Sequence, residues 1–326
     1  MSSDSSDSQA MVMKYLGWHG PATFFRRPFV ELKDASKIDI GLVGVPFASG
    51  NPVARTTFLA PRAIRDISMG MVRVHRQFRI NPFEICRMAD LGDTPVPHLF
   101  DHVKTIADIA AYFRALHAKG IVPFSFGGDH TIPAPILRGI AGPGSGRKGP
   151  VGMIHVDAHT DTAGDVLGAD DHCASFMFQL VKDGIVDPKR VVQIGLNGHL
   201  GAAEQEDWAK SVGMRLITKD EFDEIGLEAA VKEVRRVVGK GETYLTFDID
   251  SLEGIYVPAT GVPELGGFTP KEAVGIVRGC RGLNLIGGDM VCFHPLLGDT
   301  RMTAFYTASI AYEILTLLAE RIKSRS

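Results

Sequence analysis

Asp157, His159 and Asp161 alternate after an apolar run, Val151-Gly-Met-Ile-His-Val156. The run reads as a buried parallel strand. In an extended segment residues i, i+2 and i+4 share a face. Two carboxylates and an imidazole would therefore point the same way at a strand's carboxyl end, where open α/β sheets keep their sites. Borderline to hard divalent metals take such mixtures of oxygen and nitrogen donors. Two further stretches repeat the arrangement. Val122-Pro-Phe-Ser-Phe-Gly-Gly-Asp129-His130 is an apolar run closing on glycines and then His130. Thr243-Tyr-Leu-Thr-Phe-Asp248-Ile-Asp250 ends in two carboxylates two residues apart. His130, Asp157, His159, Asp161, Asp248 and Asp250 make four carboxylates and two imidazoles, more than one ion needs. Two ions about 3.5–4 Å apart, sharing carboxylates and a water, would use them all.

Such a set needs a scaffold that brings strand ends together. Apolar runs at 38–46, 84–92, 122–126, 151–156, 191–196, 243–248 and 283–293 read as strands. Pro61 suits the first turn of a helix. Asp101 can cap another, with Val103, Ile106, Ile109, Phe113 and Leu116 at helical spacing and Gly120 ending it. Further helices are expected from Pro133, over 176–183, over 227–238, from Pro270 and over 302–322. Strands alternating with helices predict a mostly parallel central sheet covered on both faces, a three-layer α-β-α sandwich. Because the candidate ligands run from His130 to Asp250, one sheet must collect them. We therefore expect a single domain over 38–326, preceded by an arm over 1–37. The arm starts Ser/Asp-rich, which reads as disorder. Its aromatic residues Trp18, Phe24, Phe25 and Phe29 read as a segment covering the domain.

The composition is 45% hydrophobic and 22% charged, ordinary for a soluble globular chain. A net charge of −3 with mixed signs makes no electrostatic case for nucleic acid or an anionic membrane. Cys86, Cys173, Cys280 and Cys292 lack zinc-finger or redox spacing and read as reduced thiols of a cytoplasmic protein. No signal peptide is visible, and no unbroken run of about 18 apolar residues exists to span a bilayer.

Taken together, Gly127-Gly-Asp-His-Thr131, Asp157-Ala-His-Thr-Asp161, Phe247-Asp-Ile-Asp250, Pro258-Ala-Thr-Gly261 and Gly287-Gly-Asp289 resemble the ureohydrolase superfamily of arginases and agmatinases. The resemblance runs from about Gly41 to the last helix. It implies an arginase-like fold and two divalent ions, Mn²⁺ or Ni²⁺. It also implies hydrolysis of a C–N bond in a guanidino compound, releasing urea and an amine. By that resemblance Asp157 and Asp248 bridge the ions, His130 and Asp161 complete one shell, and His159 and Asp250 the other. Asp161 would also orient the attacking hydroxide, and His172 would shuttle protons or contact substrate. A trimer or hexamer is implied, with association with a paralogous subunit as a further option. Asp129 is either a partner of the ligands or a turn carboxylate. Asn51, Asp165 and His199 lie on loops that could rim the site, and His294 follows the last strand.

Two positions depart from the superfamily. Val262 stands where a threonine contacts the guanidino group, and Cys292 where a glutamate pairs with it. Losing that carboxylate removes a charge-assisted partner. The departures point to guanidine itself, an N-alkylated guanidine or a biguanide such as metformin. A linear substrate of the agmatinase or guanidinobutyrase type is the other version. A metal-binding subunit without activity is a competing class. A one-zinc deacetylase-like enzyme is disfavoured, because it would not need His130 and Asp161.

Overall fold

A computed structural model of the chain describes residues 19–71, 73–166 and 168–325. The Ser/Asp-rich start and Trp18 lie outside the described residues. Eight strands form one sheet: β1 (Ile40–Gly44), β2 (Met88–Asp93), β3 (Val122–Phe126), β4 (Val151–Val156), β5 (Val186–Leu196), β6 (Arg215–Thr218), β7 (Thr243–Asp248) and β8 (Leu285–Val291). Their order is β2-β1-β3-β8-β7-β4-β5-β6. Every pairing is parallel, so the sheet is wholly rather than mostly parallel. Alternate strand residues enter opposite cores. Ile154 and Val156 pack in the core that holds the long helix Thr300–Lys323. Val151 and Met153 pack with the helices His102–Ala118 and Pro133–Ile140 on the other side. The result is the expected three-layer sandwich.

The last two strands in sequence insert between β3 and β4, and this places the site. Register levels the strand ends: Phe126 pairs with Met290, Phe247 with Val156, and Asp248 with Val291. His130, Asp157, Asp248 and Cys292 thus leave four adjacent strands at one edge of the sheet. The turn after β3 demands its glycines. Gly127 has φ +80 and a Cβ there would lie 2.5 Å from Pro61 Cδ. Gly128 has φ +84 and a Cβ there would lie 2.8 Å from the Val45 carbonyl.

Several boundaries differ from expectation. The strand expected at 84–92 begins at Met88, because Asn81 caps a short helical turn, Pro82–Ile85. The helix expected over 227–238 is present, and a further helical segment from Lys219, set off from it by non-helical Gly226 at φ +77, precedes it. Strand β6 and the helix Ala203–Ser211 escaped the sequence reading. The first is four residues long, and the second buries only Ala209. Phe24 and Phe25 are buried, with Phe24 stacked on Phe126 at 4.2 Å between ring centroids, whereas Phe29 is exposed. The helix Thr300–Lys323 is long and apolar enough to cross a membrane by length and composition. Its burial accounts for that hydropathy, and its Glu313 is paired with Arg278 and His75.

Candidate metal centre and substrate pocket

Asp157 stands at the middle of the site. Its Oδ2 lies 2.8 Å from His130 Nδ1, and its Oδ1 lies 3.3 Å from His159 Nδ1. The two oxygens of one carboxylate therefore face two different imidazoles. Around His130 Nδ1 the Oδ2 atoms of Asp161 and Asp248 also approach, at 3.0 and 3.1 Å. None of these contacts has hydrogen-bond geometry, and the buried nitrogen is left without a partner. On the other side Asp250 Oδ2 lies 3.3 Å from His159 Nδ1, and Asp250 Oδ1 is buried and unpartnered. Buried charge of one sign is costly unless it is paired or coordinates a cation. Three carboxylate oxygens crowding one ring nitrogen fit a cation better than a proton, which can serve only one of them.

The titration behaviour agrees. Burial pulls the His130 pKa down, yet its contacts with Asp157, Asp161 and Asp248 outweigh this and raise it well above the usual value. For His159 burial is likewise outweighed, by Asp157 and Asp250, and the pKa rises to about 12. Burial and then the charges of Asp248 and Asp157 push Asp250 well up. Burial and the Asp157 charge raise Asp161. In Asp157 itself burial pushes upward, but the three imidazoles prevail and hold it well below the carboxylate range. These directions mark a buried cluster rich in carboxylates, whose like charges a bound cation would relieve.

Supporting groups fix the ring orientations. Gln193 Nε2 donates to the Thr160 carbonyl at 2.6 Å and to His155 Nδ1 at 3.0 Å. His155 must then carry its proton on Nε2, which donates to Asp157 Oδ2 at 2.7 Å. Both nitrogens are committed, so His155 steadies Asp157 rather than offering a donor of its own. Tyr244 and Thr246 donate to the two oxygens of Asp289 at 2.8 and 2.7 Å, and Thr246 Oγ1 is 2.9 Å from His130 Nε2. Burial pushes the Asp289 carboxyl up to about 6, against the opposing charge of His130. Sequence reasoning missed His155, Gln193, Tyr244 and Thr246 in these roles. No local signal marks them, since each acts across strands distant in sequence.

A cavity of about 220 Å³ opens over the cluster. Asn51, Cys173, Val262 and Cys292 line it beside His130, His159, Asp161, Asp248 and Asp250. Its lining carboxylates all belong to the cluster, so none is left over to pair with a guanidinium. Asn51 Oδ1 is occupied by the backbone N–H groups of Val53 and Ala54. Burial and the charges of Asp248 and Asp250 keep the Cys292 thiol well above its ordinary pKa. Other expected rim residues are elsewhere. The His172 ring donates to the Gly164 carbonyl at 3.1 Å and does not line this cavity. The His199 side chain is 96% exposed and lines a neighbouring cavity of about 300 Å³, which shares His159, Gly201 and Gln205. Asp165 accepts from the Gly168 N–H within its own loop. His294 is buried beneath Gly261 and bonds Thr56. Asp129 accepts from the Gly50 and Thr131 N–H groups, tying the Asn51 loop to the His130 turn. Glu264, which the sequence reading passed over, lies 3.8 Å from His159 Nε2.

Residues 38–316 match the arginase family. The chain belongs to the arginase family. Among its relatives is a guanidinopropionase of Pseudomonas aeruginosa, 39% identical over 302 residues and covering 92% of each chain. A guanidinobutyrase of the same organism is 36% identical over 300 residues, again covering 92% of each. The solved structure of the proclavaminate amidino hydrolase of Streptomyces clavuligerus superposes with a TM-score of 0.87 at 27% identity, covering 94% of this chain and 99% of that one. The relatives are named hydrolases, and the chain is an arginase-family hydrolase built on an all-parallel sheet.

Proposed function

We propose that this arginase-family chain hydrolyses a C–N bond of a guanidino-type compound at a centre holding two divalent ions. One observation carries the reading: the two oxygens of Asp157 face His130 and His159 separately. His130 with Asp161 would hold one ion, and His159 with Asp250 the other, Asp157 and Asp248 being shared. The donor set of oxygen and imidazole suits Mn²⁺, Ni²⁺ or Co²⁺. Bound ions of this kind supply a water that is ionised near neutral pH.

The chain's own residues then bind and orient. Asp161, at φ +50 and with its Oδ2 3.0 Å from His130 Nδ1, would accept a hydrogen bond from the attacking oxygen. Val262 and Cys292 line the same cavity, Val262 adding an apolar patch to its wall. The cavity is small beside the roughly 300–1,000 Å³ common for ligand sites. An apolar wall, a small volume and no spare carboxylate support guanidine, an N-alkylated guanidine or a biguanide over a linear agmatine-like substrate. The guanidinobutyrase and guanidinopropionase relatives support the linear version.

The test is a substrate panel after loading with Mn²⁺, Ni²⁺ or Co²⁺, scored for urea, ammonia and dimethylamine. Turnover of at least one guanidino-type compound is expected from the purified chain alone. Metal-loaded protein that cleaves none of them would instead make it a non-catalytic subunit.

A further inference from the structure

We propose that the Cys292 thiol is a further donor to the ion held by His130 and Asp248, and that it biases this position towards metals that accept sulfur. The inference rests on the two-metal reading above. His130, Asp248 and Cys292 each offer an atom, and the three atoms all lie within 4.8 Å of one another. Donors each about 2.0–2.3 Å from one ion stand roughly 3.3–3.8 Å apart at tetrahedral angles, so the three atoms need to close by no more than about 1.5 Å to share an ion. The second observation is His130 Nδ1, buried, without a hydrogen-bond partner and aimed into the same space.

The backbone holds the thiol there. Cys292 follows β8 directly and sits at φ +61, a region that non-glycine residues seldom adopt. Its N–H donates to the Gly128 carbonyl, two residues from His130, and its carbonyl accepts from Thr260 Oγ1. The Cys292 main chain is thus pinned to the turn that carries His130. The other cysteines lack this placement. Cys173 lines the cavity but belongs to no such donor group among the described residues, and Cys86 and Cys280 are buried in the core.

Coordination would form one metal–sulfur bond and release the thiol proton to solvent, with no change of oxidation state. Thiolate is a softer donor than carboxylate, so it favours Co²⁺, Ni²⁺ or Zn²⁺ over Mn²⁺ beyond the preference that oxygen and nitrogen donors already give.

The experiment loads full-length, metal-stripped protein with Co²⁺. It reads the sulfur-to-cobalt charge-transfer absorption and, by competition, the ratio of Co²⁺ to Mn²⁺ affinity. Native protein and Cys173→Ser should show the band. Cys292→Ser and Cys292→Ala should lose it, and their Co²⁺/Mn²⁺ affinity ratio should fall by about tenfold or more. Native protein that binds two Co²⁺ without the band would overturn the assignment while leaving the two-metal reading intact. So would a band that survives in Cys292→Ser. Native protein that binds no Co²⁺ would sink both. The native measurement needs no variant to fold.

Discussion

Thr246 Oγ1 donates to Asp289 Oδ1 across 2.7 Å. Its one proton being committed, the same oxygen can only accept from His130 Nε2, 2.9 Å away. That fixes the His130 proton on Nε2 and frees Nδ1 for the cluster. Tyr244 holds the other oxygen of Asp289 and completes the relay.

Thr246→Val should therefore weaken binding of the ion at the His130 position by about 10–100-fold, the usual cost of losing an outer partner of a metal-ligating histidine. Thr246→Ser keeps the hydroxyl and should stay near native. Metal titration of both variants decides it. Equal loss in the two would mean that packing, not the hydroxyl, matters.

Gly127→Ala tests the turn that delivers His130. The positive φ alone should cost about 1–3 kcal/mol, and the contact with Pro61 adds to it. Chemical denaturation of metal-free protein should show this loss. A change within about 0.5 kcal/mol, the range of neutral surface substitutions, would contradict the steric account.

The ligand-type residues were legible because strand ends carry their own signature. Asp157, His159 and Asp161 follow one apolar run and Asp248 and Asp250 another, and each run could be read without knowing its neighbours. What could not be read was which strands lie side by side. The Gln193–His155 and Asp289–Thr246–His130 contacts exist only because β5 lies beside β4, and β8 beside β7, next to β3. Loop residues were harder still. His172 was placed by the family resemblance and His199 by its loop after a strand, but hydrogen bonds within the loop turn His172 to Gly164, and His199 faces solvent.

His172 has a direct test of its own. If it handles protons, His172→Ala should lower kcat by about 10²-fold or more with metal content unchanged. Native turnover with the metals in place would leave its bond to the Gly164 carbonyl as its whole role.

Val262 and Cys292 carry the specificity reading. A hydrogen bond to a charged group is worth roughly 1.5–3 kcal/mol. Val262→Thr with Cys292→Glu should therefore shift kcat/KM towards a monosubstituted guanidine such as agmatine by about tenfold or more. The comparison is made at equal metal occupancy, because a new carboxylate also reaches the cluster. Ordinary agmatine turnover by the native chain would move substrate choice to the loops of Asn51, Asp165 and His199.

The central claim is two ions around Asp157. Its most direct measurement is calorimetric titration of metal-stripped protein with Mn²⁺, joined to elemental analysis of the loaded product. Two ions per chain are expected in the native protein, and at most one tightly held ion in Asp157→Asn, which loses the shared carboxylate charge. A single bound ion in fully active native protein would contradict the account, as would an Asp157→Asn variant that holds two ions as tightly as the native chain.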